Sequence, residues 1–450
     1  MHANLSQITK IVKAVSHNFQ DEAINPLVTG ITTDSRSLDR TRSSGELFLA
    51  LRGEKFDGHE FVSEAIAWGA IAAITDKLLP LPVPQLVVED TLVAYQQIAS
   101  WWRQQFDIPI IAVTGSVGKT TTKELIAAVL ATQGKVLKSQ ANFNNEIGVP
   151  KTILELSSEH NFAAIEMAMR GVGQIALLTE IARPTMGVIT NVGTAHIGLL
   201  GSEEAIARAK CELLAEMPPT GVAILNQDDR RLMSTAATVW QGQTLTYGLE
   251  SGDLRGRPID PNTLELSGLQ LPLPLPGRHN AANYLAALAV AQVLNIDWTV
   301  FAEGLSVTLP QGRAQRHELP NDLVILDETY NAGLESMKAA LHLLAETPGK
   351  RHIAVLGTMK ELGTRSPEFH QQVGETARKL HLDAVLVLVD DPQAEAIALG
   401  AAGIPTETFP THESLINRLK ETIQPGDRLL FKASHSLRLD RVVSQLMANP

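Results

Sequence analysis

The most informative stretch of this chain is Ile110-Ile-Ala-Val-Thr-Gly-Ser-Val-Gly-Lys-Thr-Thr121. Its β-branched first half predicts a buried strand, and the glycines that follow predict a tight turn into a helix. Glycines let backbone N–H groups point at phosphate oxygens, and a helix N-terminus adds partial positive charge. Lys119 is placed to reach the β- and γ-phosphates, and the Thr120 hydroxyl to bind Mg²⁺. The stretch therefore predicts a nucleoside triphosphate site.

The spacing of this motif differs from the general Walker A pattern, which has four residues between its first glycine and the Gly-Lys pair. Here two residues stand there. An ordinary tight βα turn is the alternative, but Gly-Lys-Thr directly after a strand argues against it. The nucleotide-binding residues predicted from the motif are Gly115, Ser116, Val117, Gly118, Lys119, Thr120 and Thr121.

A second glycine pattern, Gly171-Val-Gly-Gln-Ile-Ala176, fits the dinucleotide fingerprint G-x-G-x-x-A and also follows a predicted strand. That fingerprint needs a ribose-binding acid about 20 residues further on. Asn191 stands at that place. We therefore expect neither a nicotinamide nor a flavin site here.

The composition is that of a globular protein that can bury a core. The 450 residues are 44% hydrophobic and 19% charged, which excludes a disordered chain, a collagen-like repeat and a coiled-coil rod. At roughly 100–200 residues per domain, the length predicts two to four domains. The net charge of −11 and the lack of a basic run argue against a nucleic-acid partner.

The cysteine content and the apolar runs indicate the cellular compartment and exclude some kinds of metal site and membrane segment. Cys211 is the only cysteine, which excludes a disulfide framework and a cysteine-based zinc site. Lys10 and Lys13 interrupt the one early apolar stretch, so no targeting segment is expected. Other apolar runs are shorter than the roughly 20 residues that span a bilayer. We expect a cytoplasmic protein without a membrane span.

Short apolar strands alternate with helical patterns, which predicts βαβ units and mostly parallel sheets. The clearest predicted strands are 85–88, 110–114, 162–166, 185–191, 222–226, 323–326, 353–356, 384–389 and 428–431. A long helix is predicted over 280–294. We expect an α/β protein of three domains: a small N-terminal α/β domain over 1–106, a central P-loop ATPase domain with a mostly parallel sheet over 107–311, and a C-terminal Rossmann-like domain over 312–450.

Three polar residues of the second block follow predicted strands or lie on a helix. Glu166 closes a strand, where a carboxylate could bind a metal or simply face solvent. His196 lies in the loop after the next strand, and a lone histidine is more often a structural hydrogen-bond partner than a ligand. By its residue type alone Lys210 is a solvated helix lysine, and Cys211 beside it a small core residue.

The segment 114–123, Thr-Gly-Ser-Val-Gly-Lys-Thr-Thr-Thr-Lys, resembles the ATP loop of the Mur ligases, the ATP-dependent enzymes that build the peptidoglycan stem peptide. Segment 142–150, Asn-Phe-Asn-Asn-Glu-Ile-Gly-Val-Pro, resembles the N-x-N-N-x-I-G stretch of the members that add D-alanyl-D-alanine. The resemblance covers nearly the whole chain. Its other segments are 33–36, 45–51, 57–59, 191–196, 277–283, 327–331 and 431–436.

This resemblance implies an ATP- and Mg²⁺-dependent ligase that joins D-alanyl-D-alanine to UDP-N-acetylmuramoyl-tripeptide through an acyl phosphate. It implies cytoplasmic peptidoglycan precursor synthesis, and with it cell wall biogenesis, cell shape, cell division and the cell cycle. The first domain would bind the UDP-muramoyl-peptide and the third the amine substrate. A monomer is expected, and the third residue of the tripeptide, diaminopimelate or lysine, stays open.

The resemblance also implies roles for individual residues. The catalytic residues would be Lys119, His196 and a carbamylated Lys210. Beyond the ATP loop, ATP would contact Asn280, Asn283, Arg313 and Asp327. The other substrates would contact Ser35, Arg36, Asn142, Asn145, Lys432 and Ser434. The metal ligands would be Thr120, Glu166, His196 and Lys210.

For Lys210 the resemblance reverses the expectation from residue type. A bare ammonium would repel Mg²⁺, whereas a carbamate formed with CO₂ is an anionic oxygen ligand. Carbamate formation needs the neutral amine, and desolvation near other cations lowers the pKa of a lysine. The resemblance therefore implies a carbamylated side chain that helps to hold a second Mg²⁺ beside the phosphates.

The chain departs from the family pattern at a few positions, which bear on the amine-substrate contacts and leave the ATP site intact. These departures are Ala168 for Gly, Gly333-Leu334 for Asn-Pro, Thr358 for a common Asp, Ala433 for Gly and His435 for Arg.

Other functions fit the sequence less well. The neighbouring Mur ligase that adds a diamino acid to the dipeptide precursor has a D-N-P-R segment, which is not evident in the third block. A folylpolyglutamate-synthase-like ligase would lack the domain that carries Asp34 to Arg36. A P-loop kinase or GTPase would leave the third block unexplained. A nucleotide-gated binding protein without turnover stays open.

Overall fold

The computed structural model describes residues 1–19, 25–39 and 45–448, and their strands form four sheets. The strands are β1 (Ala3–Asn4), β2 (Val15–His17), β3 (Leu27–Val28), β4 (Gly30–Thr32), β5 (Glu46–Leu49), β6 (Ala72–Thr75), β7 (Gln85–Val87), β8 (Ile110–Thr114), β9 (Val136–Lys138), β10 (Phe162–Glu166), β11 (Met186–Ile189), β12 (Val222–Asn226), β13 (Gln243–Gly248), β14 (Leu254–Asp260), β15 (Thr263–Leu266), β16 (Leu269–Pro272), β17 (Gln315–Leu319), β18 (Leu323–Asp327), β19 (Arg351–Leu356), β20 (Ala384–Leu388), β21 (Thr406–Phe409) and β22 (Asp427–Lys432).

The helices lie between these strands. They are α1 (Leu5–Ile11), α2 (Val62–Ala67), α3 (Thr91–Arg103), α4 (Lys119–Ala131), α5 (Gly148–Leu154), α6 (Gln174–Ala182), α7 (Ile197–Leu200), α8 (Glu203–Glu216), α9 (Arg230–Val239), α10 (Arg278–Val293), α11 (Leu334–Glu346), α12 (Ser366–Lys379), α13 (Glu395–Gly400), α14 (His412–Thr422) and α15 (Asp440–Ala448). Within the described ranges, no helix is long and apolar enough to cross a membrane.

The N-terminal unit, β1 to β7, is built on a sheet of order β2-β7-β6-β5-β4, with a separate β1-β3 pair. Strands β4 to β7 are parallel, and β2 pairs antiparallel with β7. Helix α2 covers one face, where Phe48 packs with Val62 and Ala65. Helix α3 covers the other face and also packs on α5 and α6, so it connects this unit to the next.

The central unit, β8 to β16, has the strand order β16-β15-β14-β13-β12-β11-β8-β10-β9. Strands β8 to β14 pair in parallel, and both faces of β8 are buried. Ile110 and Ala112 face the core formed with α6 and α8, whereas Ile111 and Val113 face α4 and α10. Burial of each Ile or Val side chain contributes about 1.5–3 kcal/mol. This continuous apolar run fixes the strand that carries the predicted ATP loop.

The C-terminal unit, β17 to β22, has the order β17-β18-β22-β19-β20-β21, parallel except for β17. Helices α11, α12 and α13 pack on one face, and α14 and α15 on the other. The predicted α/β class with three sheet-based units is thus observed. The predicted domain ranges include residues 20–24, 40–44 and 449–450, which lie outside the described residues.

The predicted strands leave out β1 to β6, β9, β13 and β21, and two antiparallel parts of the larger sheets were not predicted either. One is the antiparallel extension β14-β15-β16 at the edge of the central sheet, and the other is the antiparallel edge strand β17. Ser267 and Gly268, with φ values of 52° and 83°, form the two-residue turn between β15 and β16. A Ser-Gly pair between apolar residues is a recognisable hairpin signal, so this extension could have been found.

Candidate active site

The ATP loop, residues 115–121, follows β8 and depends on two glycines. Gly118 has a φ of 82° and is the N-cap of α4. A Cβ at Gly118 would lie 2.6 Å from Asn283 Oδ1, and one at Gly115 would lie 1.8 Å from Thr190 Oγ1. Only glycine fits these two positions, because the loop backbone is packed directly against two other segments.

The first of these segments is the loop after β11, residues 190–196, here called the supporting loop. Asn191 Nδ2 donates to Val117 O and Asn191 Oδ1 accepts the Val117 N–H, both at 3.0 Å. The Asn191 carbonyl accepts the Ser116 N–H at 3.0 Å, and the Gly193 N–H donates to Ser116 Oγ at 2.8 Å. These paired contacts hold the turn between Gly115 and Gly118 in one shape.

The second segment is the start of α10, which carries Asn280 and Asn283, two residues for which the resemblance implies contacts with ATP. Asn283 Oδ1 accepts a hydrogen bond from Thr122 Oγ1 at 3.2 Å, and Asn283 Nδ2 donates to Asn280 Oδ1 at 3.3 Å. Asn280 Nδ2 donates to Pro276 O at 2.9 Å. The structure therefore places both predicted asparagines beside the ATP loop.

Lys119 lies over the loop that precedes it. Its Nζ donates to Gly115 O at 2.9 Å and to Ser116 O at 3.4 Å. Burial lowers the pKa of this lysine; Glu166 opposes the shift and Arg313 adds to it. Lys119, Glu166 and Arg313 are thus close enough for their charges to interact, although they come from α4, β10 and the start of the C-terminal unit.

Glu166 is a buried acid at the end of β10, with 2% of its surface exposed. Its Oε1 accepts a hydrogen bond from Asn144 Nδ2 at 2.8 Å, and its backbone N–H donates to Ser139 Oγ at 3.0 Å. Its Oε2 has no hydrogen-bond partner among the described residues. A buried carboxylate oxygen without a partner is costly, and a cation would satisfy it. Together with the buried Thr120, Glu166 fits an Mg²⁺ site.

No group of three or more His, Cys, Asp or Glu side chains in the described part of the chain is arranged to hold a metal ion by itself. This agrees with how Mg²⁺ binds in proteins, because that ion usually takes one or two carboxylates and fills its other positions with water and substrate phosphate. The residues present therefore fit an ion that binds with the nucleotide.

Lys210 is buried on α8, with 2% exposure, so the expectation from residue type alone, a solvated helix lysine, was wrong. Burial is the main cause that lowers its pKa well below the usual value, and the charge of Lys119 adds to it. Both causes favour the neutral form of the amine over the ammonium. Cys211 beside it is fully buried, as expected, and burial raises the pKa of its thiol to about 12.

His196 has a left-handed backbone, with a φ of 65°, and its ring Nδ1 contacts Glu361 Oε2 of the C-terminal unit. Burial lowers the pKa of His196, Lys119 and Lys210 lower it further, and Glu361 opposes the shift. The charges of Lys119 and Lys210 thus both act on His196, and these are the three predicted catalytic residues.

The C-terminal unit brings its predicted residues to the carboxyl ends of β18 and β22. Lys432 Nζ donates to Asn331 O at 3.0 Å, and burial lowers its pKa, with Arg313 adding to the effect. Arg313 Cζ lies 4.0 Å from the centroid of the Tyr330 ring. Asp327 Oδ1 accepts the Thr329 N–H and hydroxyl at 3.0 and 2.6 Å.

Ser434 supports the loop after β19 on the same edge of the sheet. Its Oγ accepts the Lys360 N–H at 3.1 Å, and its N–H donates to Thr358 O at 3.0 Å. The Thr358 hydroxyl in turn contacts the Asp390 carboxylate, so an acid is present here although the family's common Asp is absent at 358.

The other predicted substrate residues lie elsewhere. Arg36 forms paired hydrogen bonds with Asp34 on the turn after β4, at 2.8 Å each, and 85% of its side chain is exposed. Ser35 is buried in the same turn. Asn145 Oδ1 accepts the Gly148 N–H at 2.9 Å at the start of α5, and Asn142 is exposed.

Sequence reasoning missed several residues that contact the site, among them Asn144, Glu361 and Glu335. Asn144 binds Glu166, although its neighbours Asn142 and Asn145 were the ones selected. Glu361 contacts His196, and Glu335 contacts Thr194 of the supporting loop. Asn144 lies within the N-x-N-N segment and could have been found there, whereas the two acids become visible only when the units are placed together.

The second glycine pattern is not available to a nucleotide phosphate. The Gly173 N–H donates to Glu212 Oε1 at 2.7 Å, and the Ala176 N–H donates to Glu212 Oε2 at 3.1 Å. A carboxylate of α8 therefore occupies the N-terminus of α6, where a phosphate would have to bind. This agrees with the expectation that no nicotinamide or flavin site is present.

Comparison with known proteins agrees with this geometry. Three family models match the chain: "Mur ligase family, catalytic domain" over residues 27–99, "Mur ligase middle domain" over 113–291 and "Mur ligase, glutamate ligase domain" over 312–435. A UDP-N-acetylmuramoyl-tripeptide–D-alanyl-D-alanine ligase from Synechocystis sp. is 62% identical, over 94% of this chain and 93% of that protein. The chain belongs to the Mur ligase family.

Two solved MurF structures have the same fold over nearly their full length. MurF from Acinetobacter baumannii superimposes with a TM-score of 0.90 and 31% identity, covering 100% of this chain and 99% of that one. MurF ligase from Thermotoga maritima in complex with ADP gives a TM-score of 0.83 and 31% identity, covering 93% and 97%. The predicted family and the predicted α/β class are confirmed, and this Mur ligase is an ATP-dependent amide ligase.

Proposed function

We propose that this chain joins D-alanyl-D-alanine to UDP-N-acetylmuramoyl-tripeptide at the expense of ATP, in the synthesis of the peptidoglycan precursor. The observation that carries the proposal is the full-length likeness to the Synechocystis ligase, 62% identical over 94% of the chain. The geometry of the ATP loop, with its two glycines and Lys119, supports the same conclusion.

The chemistry explains why a nucleotide site is needed. A carboxylate and an amine do not condense in water, because the carboxylate carries no leaving group. In the proposed reaction a carboxylate oxygen of the tripeptide attacks the γ-phosphorus of ATP, which gives an acyl phosphate and ADP. The amine then attacks the acyl carbon, the carbon–oxygen bond to phosphate breaks, and the amine loses one proton. The products are amide, ADP and inorganic phosphate.

Residues of this chain would stabilise the charge on the transferring phosphoryl group. The backbone N–H groups of the ATP loop and the helix N-terminus at Lys119 favour anionic oxygens. The Lys119 ammonium and the Arg313 guanidinium add charge from the central and C-terminal sides. We assign Asn280, Asn283 and Asp327 to the nucleoside. The two asparagines lie on α10 beside the ATP loop, and Asp327 lies at the end of β18 in the C-terminal unit.

We assign Mg²⁺ to Thr120, Glu166, His196 and a carbamylated Lys210. When bound, the ion would neutralise charge on the phosphates and polarise the bond to be broken. The partnerless Glu166 Oε2 and the buried Thr120 support this assignment. His196 would be held toward the site through its ring contact with Glu361.

The carbamate at Lys210 is supported by burial and charge. A neutral lysine amine adds to CO₂, forms an N–C bond and releases one proton, which leaves an anionic carbamate. Burial and the charge of Lys119 lower the pKa of Lys210, which raises the neutral fraction of its amine and so favours this addition. The carbamate would supply an oxygen ligand at a place where an ammonium would repel a metal ion.

We further propose that residues 1–106 bind the UDP-muramoyl-peptide through Ser35 and Arg36, and that 107–311 bind ATP. Residues 312–450 would bind the amine substrate through Lys432 and Ser434, with Asn142 and Asn145 contacting the tripeptide. The enzyme would act in the cytoplasm, where ATP is available, and as a monomer, because one chain supplies every proposed site residue. Its product would serve cell wall synthesis and thereby cell shape and division.

Phosphate release tests the proposal directly. Release should require both UDP-muramoyl-tripeptide and D-alanyl-D-alanine, and it should fall when D-alanine alone is supplied. Lys119→Ala serves as the control for release that does not depend on this site. Faster release with a diamino acid and a dipeptide-stem substrate would assign the chain to the neighbouring ligase. Slow ATP hydrolysis that no amine changes would indicate a binding protein without turnover.

A further inference from the structure

Glu335 connects two units of the protein. It lies in the first turn of α11, in the C-terminal unit, and its carboxylate contacts the supporting loop of the central unit. The Thr194 N–H donates to Glu335 Oε1 at 2.8 Å, and Thr194 Oγ1 donates to Oε2 at 3.2 Å. Both carboxylate oxygens are therefore engaged by one residue of the other unit.

The fit around this carboxylate is close. A Cβ at Gly193 would lie 2.6 Å from both Cδ and Oε1 of Glu335, a separation that real Cβ atoms do not adopt. Gly193 therefore lets the carboxylate approach the loop backbone, and any other residue at 193 would push Glu335 away. The contact depends on shape as well as on charge.

The same glycine also contacts the ATP loop. Its N–H donates to Ser116 Oγ at 2.8 Å, while Asn191, two residues earlier, holds Val117 through paired hydrogen bonds. The supporting loop thus lies between Glu335 on one side and the ATP loop on the other. The residue that binds Glu335, Thr194, is thus the chain neighbour of Gly193, whose N–H binds Ser116.

We infer that Glu335 is a positioning residue that couples closure of the C-terminal unit to the shape of the ATP loop. Units of one chain move relative to one another by default unless the interface between them is large and hydrophobic. In this proposal the Glu335 contact with the supporting loop forms when the C-terminal unit closes and breaks when it opens. Closure therefore favours the nucleotide-binding shape of residues 115–118. By reciprocity, bound nucleotide then favours closure by the same factor.

This inference rests on the proposed ATP site, but it requires neither peptide substrate. It can therefore be tested by nucleotide binding alone. Failure of the ligase reaction with intact coupling would reject only the proposed function, and normal ligation without coupling would reject only this inference.

The experiment compares Glu335→Ala with Glu346→Ala, which removes an exposed acid from the other end of the same helix. The dissociation constant of a non-hydrolysable ATP analogue with Mg²⁺ is measured by calorimetry, and its effect on the radius of gyration by X-ray scattering. The loss of a hydrogen bond to a charged group of this kind corresponds to about a tenfold change in an equilibrium constant. We expect Glu335→Ala to bind the analogue about tenfold more weakly and to compact less than wild type. Glu346→Ala should match wild type within twofold.

A second variant separates coupling from general destabilisation. Thr194→Val removes the hydroxyl that binds Glu335 and keeps the fold of the loop, so it should weaken analogue binding in the wild-type background. In the Glu335→Ala background it should have no further effect, because its partner is already absent. Binding by Glu335→Ala within twofold of wild type, or a full Thr194→Val effect in that background, would overturn the inference. Glu335→Gln, which keeps one acceptor oxygen, should fall between wild type and Glu335→Ala.

Discussion

Alanine at Gly118 should destabilise the protein more than alanine at Gly173, although the two glycines have nearly the same backbone. Their φ values are 82° and 84°, and they are the N-caps of α4 and α6. A Cβ at Gly173 has no atom within 4 Å, whereas one at Gly118 lies 2.6 Å from Asn283 Oδ1. The two substitutions therefore separate backbone strain from the contact with α10.

The magnitude follows from the contacts at each position. A left-handed alanine costs about 1–2 kcal/mol, and this cost applies to both variants. At 118, Asn283 must also turn away from Thr122 and Asn280, which it binds at 3.2 and 3.3 Å, and each hydrogen bond contributes about 1 kcal/mol. Gly118→Ala should therefore cost about 2 kcal/mol more. For a unit of roughly 150–250 residues, this lowers the Tm by about a further 4–8 °C.

Thermal unfolding of the two variants checks this difference, and ADP titration shows whether the loss also reaches the nucleotide. In an Asn283→Ala background the extra cost at 118 should disappear, because the atom that blocks the new Cβ is gone. Gly171→Ala, with open space and an ordinary backbone, should stay within about 0.5 kcal/mol of wild type. Equal Tm losses at 118 and 173, or an unchanged cost without Asn283, would refute the reasoning.

Two further predictions concern the proposed metal ligand and the N-terminal unit. Lys210→Ala should be nearly inactive in phosphate release, and acetate should partly restore it by supplying a carboxylate oxygen. Acetate should not restore Lys210→Arg, because the guanidinium keeps its positive charge and forms no carbamate. Turnover of Lys210→Arg at the wild-type rate would contradict the role of Lys210 as a carbamylated metal ligand. Ser35→Ala and Arg36→Ala should weaken binding of the uridine substrate far more than binding of ATP in calorimetric titrations. Equal losses for both ligands would reject the proposed division between the units.

Local patterns gave the strands that carry the site. Strands 110–114, 162–166 and 222–226 were predicted with the bounds observed, because a strand buried on both faces is a continuous apolar run between turn residues. The edge strands β14 to β17 are only partly buried and are absent from the predicted strands, although β15 alternates partly buried and buried residues. Their burial depends on neighbouring elements, which the local sequence does not describe.

Site residues were predictable where a motif fixes them and unpredictable where tertiary packing does. Gly115, Gly118 and Lys119 are defined by the backbone chemistry of the ATP loop. The burial of Lys210 could not be predicted from its type, because it depends on how α8 packs. Glu335 contacts a residue 141 positions earlier in the chain, and no local pattern reports a pairing between units.

The contacts that shape the ATP loop are widely separated in the chain, and this has a consequence during synthesis. The loop follows β8, yet its partners come from Asn191, 74 residues after Val117, and from Asn283, 161 residues after Thr122. Contacts at such separations form late, because the chain between them must first be made and ordered. A nascent chain that ends before α10 therefore contains the complete glycine motif but lacks α10, one of the two segments that fix the conformation of the ATP loop. Competence to bind nucleotide should then arise only when the central unit folds as a whole, long after the motif itself has left the ribosome.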